Sequence, residues 1–316
     1  MGVDVWIVQT FLLMAPALRE AGFQVSAGAD IPAGCMLIAH RDDLNALFDG
    51  LHRSFIVAVR TDRAPARVAH AEILQNGLQV GQNEYFVPSW PQPGLIPRDE
   101  SRGNDLQRIA YFGRQDSLPP WFFSADFLGR LADRKVEFEV RHKVWNDYHD
   151  IDLVLAHRLE APTMLQQKPG TKLCNAWLAG VPALLSPEPE YRRLRESPDD
   201  FMEILSADDV IAAIDTLQAT PARYAAMRER CRMRAQAFGE DAVATRWLEV
   251  LTGQLADQYD HWLLSGSRSW FSYAAKLARQ KSVSRAFKNK IATELKSMNA
   301  PAPLRSVEPE GPGQKR

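Results

Sequence analysis

The sequence predicts an α/β protein of two lobes, each an open parallel sheet layered with helices, that face a cleft and are followed by a C-terminal helical extension. Three observations predict it. Short apolar runs alternate with helical periodicity through much of the chain, the pattern of strand–helix–strand units. Between residues 88 and 105 prolines and glycines interrupt that pattern, as a packed interdomain connection would. Residues 150–194 then place a buried strand, a loop, an amphipathic helix and a second buried strand in one short stretch. With 316 residues, 46% of them apolar, the chain is long enough for two domains of ordinary size. The reading places the first at 1–105, the second at 106–250, a crossover helix with a basic tail at 251–299, and a disordered end at 300–316.

In the first lobe, strands are expected at 3–9, 24–27, 35–40, 55–60 and 85–88, and helices at 11–20, 42–51 and 66–74. In open parallel sheets ligands bind beyond the carboxyl ends of the strands. His40, Asp42, Arg60, Asp62 and Arg63 fall at such ends. Asp42 and Asp43 equally suit the cap of the helix that follows, and Arg60, Asp62 and Arg63 equally suit a surface ion-pair cluster.

The second lobe starts with the strand at 108–112, closed by Gly113 and Arg114. A helix near 124–133, a strand at 136–141 and the polar segment Trp145 to His149 precede the central strand at 150–156. After that strand, Lys168, Pro169, Gly170, Thr171 and Lys172 open an amphipathic helix that stops at Gly180. Two ammonium groups, a hydroxyl and unpaired backbone amides thus meet at a helix N-terminus, where the helix dipole also favours an anion. Lys168, Thr171 and Lys172 are therefore candidate ligands of a phosphate or diphosphate. From residue 207 onward the chain reads as helical.

The run Asn175, Ala176, Trp177, Leu178, Ala179, Gly180, Val181 and Pro182 after the lysine loop resembles the nucleotide-binding half of GT-B glycosyltransferases. The resemblance covers residues 106–250 well and the N-terminal third in outline. It implies two Rossmann-like lobes and a nucleotide-sugar donor; no His, Asp or Cys spacing suggests a metal, so no metal or other cofactor is expected. It also implies that Arg114 faces the donor diphosphate and that Trp145 or Tyr148 either stacks on the base or packs in the core. Many retaining members carry two glutamates with seven residues between them before the Gly-apolar-Pro signature, the second holding the ribose. Gln167 and Asn175 stand there in this chain, so Asn175 meets ribose hydroxyls without charge. Glu190 either bonds the donor sugar or ribose, or only favours its own helix N-terminus. His40 and Asp42 then contact the acceptor or supply a general base. The expected function is transfer of a sugar to a glycan, a lipid-linked glycan or a small molecule. A nucleotide-sugar epimerase and a non-catalytic carbohydrate-binding protein are the alternatives.

A net charge of −1 argues against a nucleic-acid partner, since phosphate contacts need a basic excess. Cys35, Cys174 and Cys231 are far apart and odd in number, which fits a reducing, cytoplasmic compartment. The apolar run 5–18 lacks a preceding Lys or Arg and reads as buried structure rather than a signal peptide. The tail at 270–296 interleaves Lys276, Arg279, Lys281, Arg285, Lys288, Lys290 and Lys296 with Trp270, Phe271, Phe287 and Ile291. Such a helix either lies on an anionic membrane surface, peripheral at the inner face, or packs its apolar side on the body.

Overall fold

In the computed structural model, residues 2–28, 30–45, 51–265 and 269–298 are described, residues 2–6 by their backbone alone. The first lobe opens with α1 (Gly2–Glu20), then β1 (Met36–His40), β2 (Phe55–Val59), β3 (Ala71–Leu74) and β4 (Glu84–Phe86). The second holds β5 (Arg108–Phe112), α2 (Ala125–Asp133), β6 (Glu137–Arg141), β7 (Leu153–Ala156), α3 (Pro162–Leu165) and α4 (Thr171–Leu178). It continues with β8 (Ala183–Leu185), α5 (Pro189–Leu194), β9 (Met202–Glu203), α6 (Ala207–Ala219) and α7 (Pro221–Ala235). The C-terminal helices are α8 (Glu240–Thr252), α9 (Gln254–Ser265) and α10 (Trp270–Met298). Both sheets are wholly parallel, ordered β1-β2-β3-β4 and β6-β5-β7-β8-β9.

Strands covered on both faces read as unbroken apolar runs. β2 shows why. Phe55, Val57 and Val59 enter a cluster with Met14 and Leu18 of α1 and with Val243, Trp247, Leu255 and Trp262 of α8 and α9. Ile56 and Ala58, on the other face, pack with Tyr273 and Leu277 of α10. The first sheet therefore takes its covering helices from the two ends of the chain. Its own crossovers at 60–70 and 75–83 contain only the 3-10 turn Gly77–Gln79. The second lobe has one core, filled from both faces by α2, α4, α5, α6 and α7.

This division of labour corrects the sequence reading at several points. The expected strand at 3–9 is part of α1, whose buried positions Thr10, Met14 and Leu18 recur every four residues against α8 and β1. Its β-branched start imitated a strand, but no sheet edge receives one. Residues 24–27, expected as a strand, belong to neither sheet. The helix expected at 66–74 is not formed: residues 66–70 are turn and loop, and 71–74 are β3, where Glu72 alternates with Ala71 and Ile73 and its charge is held by Arg60 at 3.0 Å. Of the helix expected at 42–51, the ends are 3-10 turns, Arg41–Asn45 and Leu51–Arg53, and 46–50 lie outside the described residues. α8, placed by sequence largely within 106–250, belongs to the first lobe's core. The crossover carries Trp247 and Trp262 into that core as expected, while Trp270 stays 47% exposed. The end at 300–316 lies outside the described residues. Among the described residues no helix is long and apolar enough to cross a membrane.

The connection at 88–105 is packed on both sides. Trp90 donates to Thr10 Oγ1 at 2.8 Å and stacks on Trp247, with ring centroids 6.3 Å apart. Further on, the main chain of Ile96 and Asp99 bonds that of Asn146, Tyr148 and His149. Arg98 and Arg102 reach the fully buried Asp152 carboxylate, which also accepts the amides of Gln107 and Arg108.

His70 gives the first lobe an acid-sensitive point. Its ring stacks on Phe55 at 4.9 Å, and its Nδ1 accepts the Ile56 amide at 2.9 Å. Burial, with Lys276 adding repulsion, pushes its pKa down to about 4. The unfolded chain binds this proton near pH 6.5. Because the folded value is the lower one, stability is present above about pH 6.5 and is lost as pH falls toward 4. The expected loss is about 2 to 3 kcal/mol. Urea unfolding across this range should show it in the wild type and much less of it in His70→Gln, which keeps an acceptor for Ile56. Equal slopes in both would place the acid sensitivity elsewhere.

Candidate active site

The carboxyl edges of the two sheets meet. In the second lobe β5 runs into Gly113, where a Cβ would overlap the Tyr111 ring that folds back beneath the turn. Lys172, in the first turn of α4, extends its ammonium over that ring, 4.6 Å from the centroid, and donates to the Phe112 carbonyl. β7 delivers His157 and Arg158 to the same edge, and β8 delivers Ser186 and Glu188. Arg158 and Glu188 form an ion pair with side chains 10% and 2% exposed. Desolvation, then the Arg158 charge, pushes the Lys172 pKa down to about 7, and desolvation raises that of Glu188. The Nδ1 of His157 and the hydroxyl of Tyr191 are buried with no hydrogen-bond partner among the described residues. Unpaired buried polar atoms are costly. The Tyr191 ring lies under the Arg158 guanidinium, 5.9 Å from its centroid, on the same edge as the half-buried Lys172.

Across the cleft the first lobe supplies His40, Asp42, Thr61, Asp62 and Arg63. His40 is buried; its Nδ1 accepts the Asp42 amide at 3.2 Å, and its Nε2 lies 3.3 Å from Thr61 Oγ1. An Nδ1 that accepts puts the neutral ring's proton on Nε2. Burial lowers the pKa of His40, so the neutral form is favoured. Asp42 takes Arg63 at 2.9 Å, Arg63 takes Asp62 at 2.6 Å, and Lys168 spans the cleft to Asp62 at 2.9 Å while holding Glu160 at 3.1 Å. Against the effect of burial, Lys168 holds the Asp62 carboxyl below the usual carboxylate range.

Further bonds close the cleft. Arg60 donates to Gln167 at 2.7 Å, Asn76 donates to the carbonyls of Gln166 and Lys168, and Thr171 pairs with Ser89 at 3.0 Å. Asn175 Oδ1 accepts the Gln92 amide at 3.2 Å. Glu190 holds Arg193 with both oxygens and accepts the Gly77 amide at 3.1 Å. A Cβ at Gly77 would push the Arg193 guanidinium aside. The space left at the start of α4, among Gln75, Ser89, Thr171 and Glu190, is about 10 Å³, the size of one water. Gln75 Nε2 lies there unpaired. That space is too small for a nucleotide.

The sequence-selected residues thus divide into groups. Lys168, Thr171, Asn175 and Glu190 join the lobes, Lys172 is half-buried at the strand ends, and His40 and Asp42 sit on the facing edge. Arg114 is apart from them: its side chain is 75% exposed and bound to Asp116 at 2.5 Å. Asp42 and Asp43 lie inside the 3-10 turn, and the Asp42 carboxylate bonds Arg63 rather than capping a helix. Arg60 is not a surface residue but a buried one held by Glu72, Glu84 and Gln167. Tyr148 is core, stacked on Phe112 at 4.0 Å, whereas Trp145 is 45% exposed. The sequence reading missed Arg158 and Glu188. The available signal was their place, directly after the apolar runs 153–156 and 183–185. Among the described residues no three His, Cys, Asp or Glu side chains converge as metal ligands would.

Two parallel sheets with facing carboxyl edges, tied by helices that cross back to the first lobe, form the architecture of GT-B glycosyltransferases, and this chain has that fold. It is similar in structure to AviGT4, a glycosyltransferase involved in avilamycin A biosynthesis, with a TM-score of 0.54, 14% identity, and coverage of 81% of this chain and 91% of that one. It is also similar to Alr3699/HepE of Anabaena in complex with UDP, with a TM-score of 0.51, 12% identity, and coverage of 68% and 78%. No family model matches the chain. No curated protein matches it in sequence.

Proposed function

We propose that the protein transfers a glycosyl group from a nucleoside-diphosphate sugar to an acceptor bound against the first lobe. The observation that carries this reading is the half-buried Lys172 amine at the carboxyl edge of the second sheet, within reach of the Arg158 charge, with Arg158 lying over the ring of Tyr191, whose hydroxyl is unpaired. When the lobes part, Lys172 and Arg158 take the diphosphate, and Lys168 and Thr171 add a cation and a donor at the start of α4. Arg114 meets the diphosphate from the rim, and Asn175 and Glu190 meet the ribose or sugar. In the reaction the anomeric C–O bond to the diphosphate breaks and its electron pair stays on the phosphate oxygen. Fixed cations stabilise that developing charge. Asp42, 42% exposed at its carboxylate, faces the acceptor side and takes the hydroxyl proton or orients the hydroxyl, with His40 fixed behind it.

The fold similarity to a UDP complex supports the choice of donor class. The test is release of nucleoside diphosphate from a panel of nucleotide sugars, with and without glycan and lipid-linked acceptors. Acceptor-dependent release is expected. Epimerised sugar without release would establish an epimerase, and binding without turnover a carbohydrate-binding protein. With cations of the protein serving the leaving group, release should continue in a chelator. A strict requirement for manganese or magnesium would overturn this assignment of charge.

A further inference from the structure

The C-terminal helix α10 is not a loose tail. Its inner face is locked: Tyr273 and Leu277 are in the core, and Gln280, fully buried, donates to the Leu44 carbonyl at 2.6 Å and accepts the Val68 amide. Farther along, Ser284 accepts Arg41 at 2.7 Å, and Glu294 accepts the Thr163 amide and hydroxyl of α3 at 2.8 and 2.6 Å. The helix thus runs from the strand ends of the first lobe to the second lobe, beside the cleft.

Its outward side has a different composition. All seven Lys and Arg side chains of α10 are exposed. The helix has one acid, Glu294, which is spent on Thr163. At 3.6 residues per turn, Trp270, Phe271, Lys281, Arg285, Lys288 and Lys296 fall on one flank, within an arc of about 100°. Phe271 is 80% exposed and Trp270 47%, and at the end of the preceding helix Leu264 is 86% exposed. Trp270 and Phe271, this bare on the same flank as four cations in a chain of net charge −1, with Leu264 a few residues before them in sequence, fit a partner that is both anionic and apolar. A nucleic acid offers charge without a place for Leu264. A bilayer with anionic lipid offers both.

We infer that the outer flank of α10 docks the protein on an anionic membrane surface, with Leu264 and Phe271 inserted and the lysines and arginines over the headgroups. The inner face is committed to the body, so docking orients the whole molecule and sets the cleft mouth beside the lipid. For the acceptor this points to a lipid-linked saccharide. That last step rests on the proposed transfer reaction, whereas docking is measured without nucleotide, so the two can fail separately.

The experiment is flotation of the full chain with vesicles of phosphatidylcholine alone or mixed equally with phosphatidylglycerol. Two variants accompany it: Leu264→Ser with Phe271→Ser, and Lys281→Gln with Arg285→Gln and Lys288→Gln. These exposed positions leave the core alone, so both variants should keep the wild-type melting temperature. Wild type is expected to float only with anionic vesicles and to be released by salt. Each cation near such a surface contributes about fivefold, so the triple variant should bind roughly 100-fold more weakly. The apolar pair should cost roughly tenfold. Wild type remaining in solution, floating equally with both vesicles, or floating no better than the variants would overturn the inference. So would an oligonucleotide bound as tightly as the anionic vesicles.

Discussion

Lys172→Ala is expected to weaken binding of a nucleoside diphosphate by about 2 to 3 kcal/mol, the upper range for a hydrogen bond to a charged group. That is roughly 30- to 150-fold in affinity. The same change should leave the melting temperature unchanged or higher, because the amine is half-buried and its charged form is disfavoured there. A residue kept at a cost to stability and needed for the ligand is the signature sought. A second readout follows from its pKa of about 7. A bound phosphate favours the ammonium, so the protein takes up a proton on binding when the free amine is neutral. Affinity should hold below about pH 7 and fall above it, by up to about tenfold per unit. Lys172→Arg, always charged, should flatten that profile. Calorimetric titrations on both sides of pH 7 measure it. Unaltered affinity in Lys172→Ala would remove the lysine from the site. Arg114→Ala, at an exposed position already paired with Asp116, should weaken binding less than Lys172→Ala does.

Asp152→Ala should have the largest effect on stability. The carboxylate is fully buried and accepts Arg98 at 2.8 Å, Arg102 at 2.7 Å and the amides of Gln107 and Arg108, both at 2.9 Å. Burial alone would raise its pKa, but the hydrogen bonds of Arg102 and of the two amides hold it low. Removing it leaves the Arg98 guanidinium buried without its counter-charge, which costs about 3 to 5 kcal/mol. The same carboxylate anchors the interlobe connection to the start of β5 and β7, so the loss should also loosen the lobes. Urea unfolding at neutral pH measures the effect. A change below about 1 kcal/mol would show that other contacts hold the connection.

The second lobe was legible because its signals are local. An apolar run, a lysine-glycine-threonine loop, an amphipathic helix and Gly180 before Val181 and Pro182 each report the conformation of their own neighbourhood, and β7, α4 and β8 stand where those signals put them. The first lobe was legible in β1, β2 and β4, which lie within the expected ranges to within a residue, and in residues 11–20 of α1, expected as a helix. Elsewhere its order depends on distant sequence. β3 could not be recognised without knowing that Glu72 meets Arg60, and the start of α1 could not be told from a strand without α8 to pack against.

The candidate site divides in the same way. The lysine loop was legible as a candidate anion site because charge, glycine and helix start coincide within five residues. Its present occupation by Asp62, Ser89 and Gln92 was not, because those partners come from the first lobe and its connection. The tail left two readings open, and its inner face settled one half of them: Tyr273, Leu277 and Gln280 pack, while the cations stay outside.

The central claim is that the edge formed by Lys172 and Arg158 holds a nucleoside diphosphate once the lobes separate. The measurement that tests it most directly is a thermal-shift panel of nucleoside diphosphates and their sugars on the wild type and on Lys172→Ala. A ligand at about 100 times its dissociation constant adds about 2.7 kcal/mol to the native state, a rise of several degrees. The expected result is such a rise with at least one nucleotide in the wild type and little or none in Lys172→Ala. No rise with any of them, or the same rise in both proteins, would contradict the assignment.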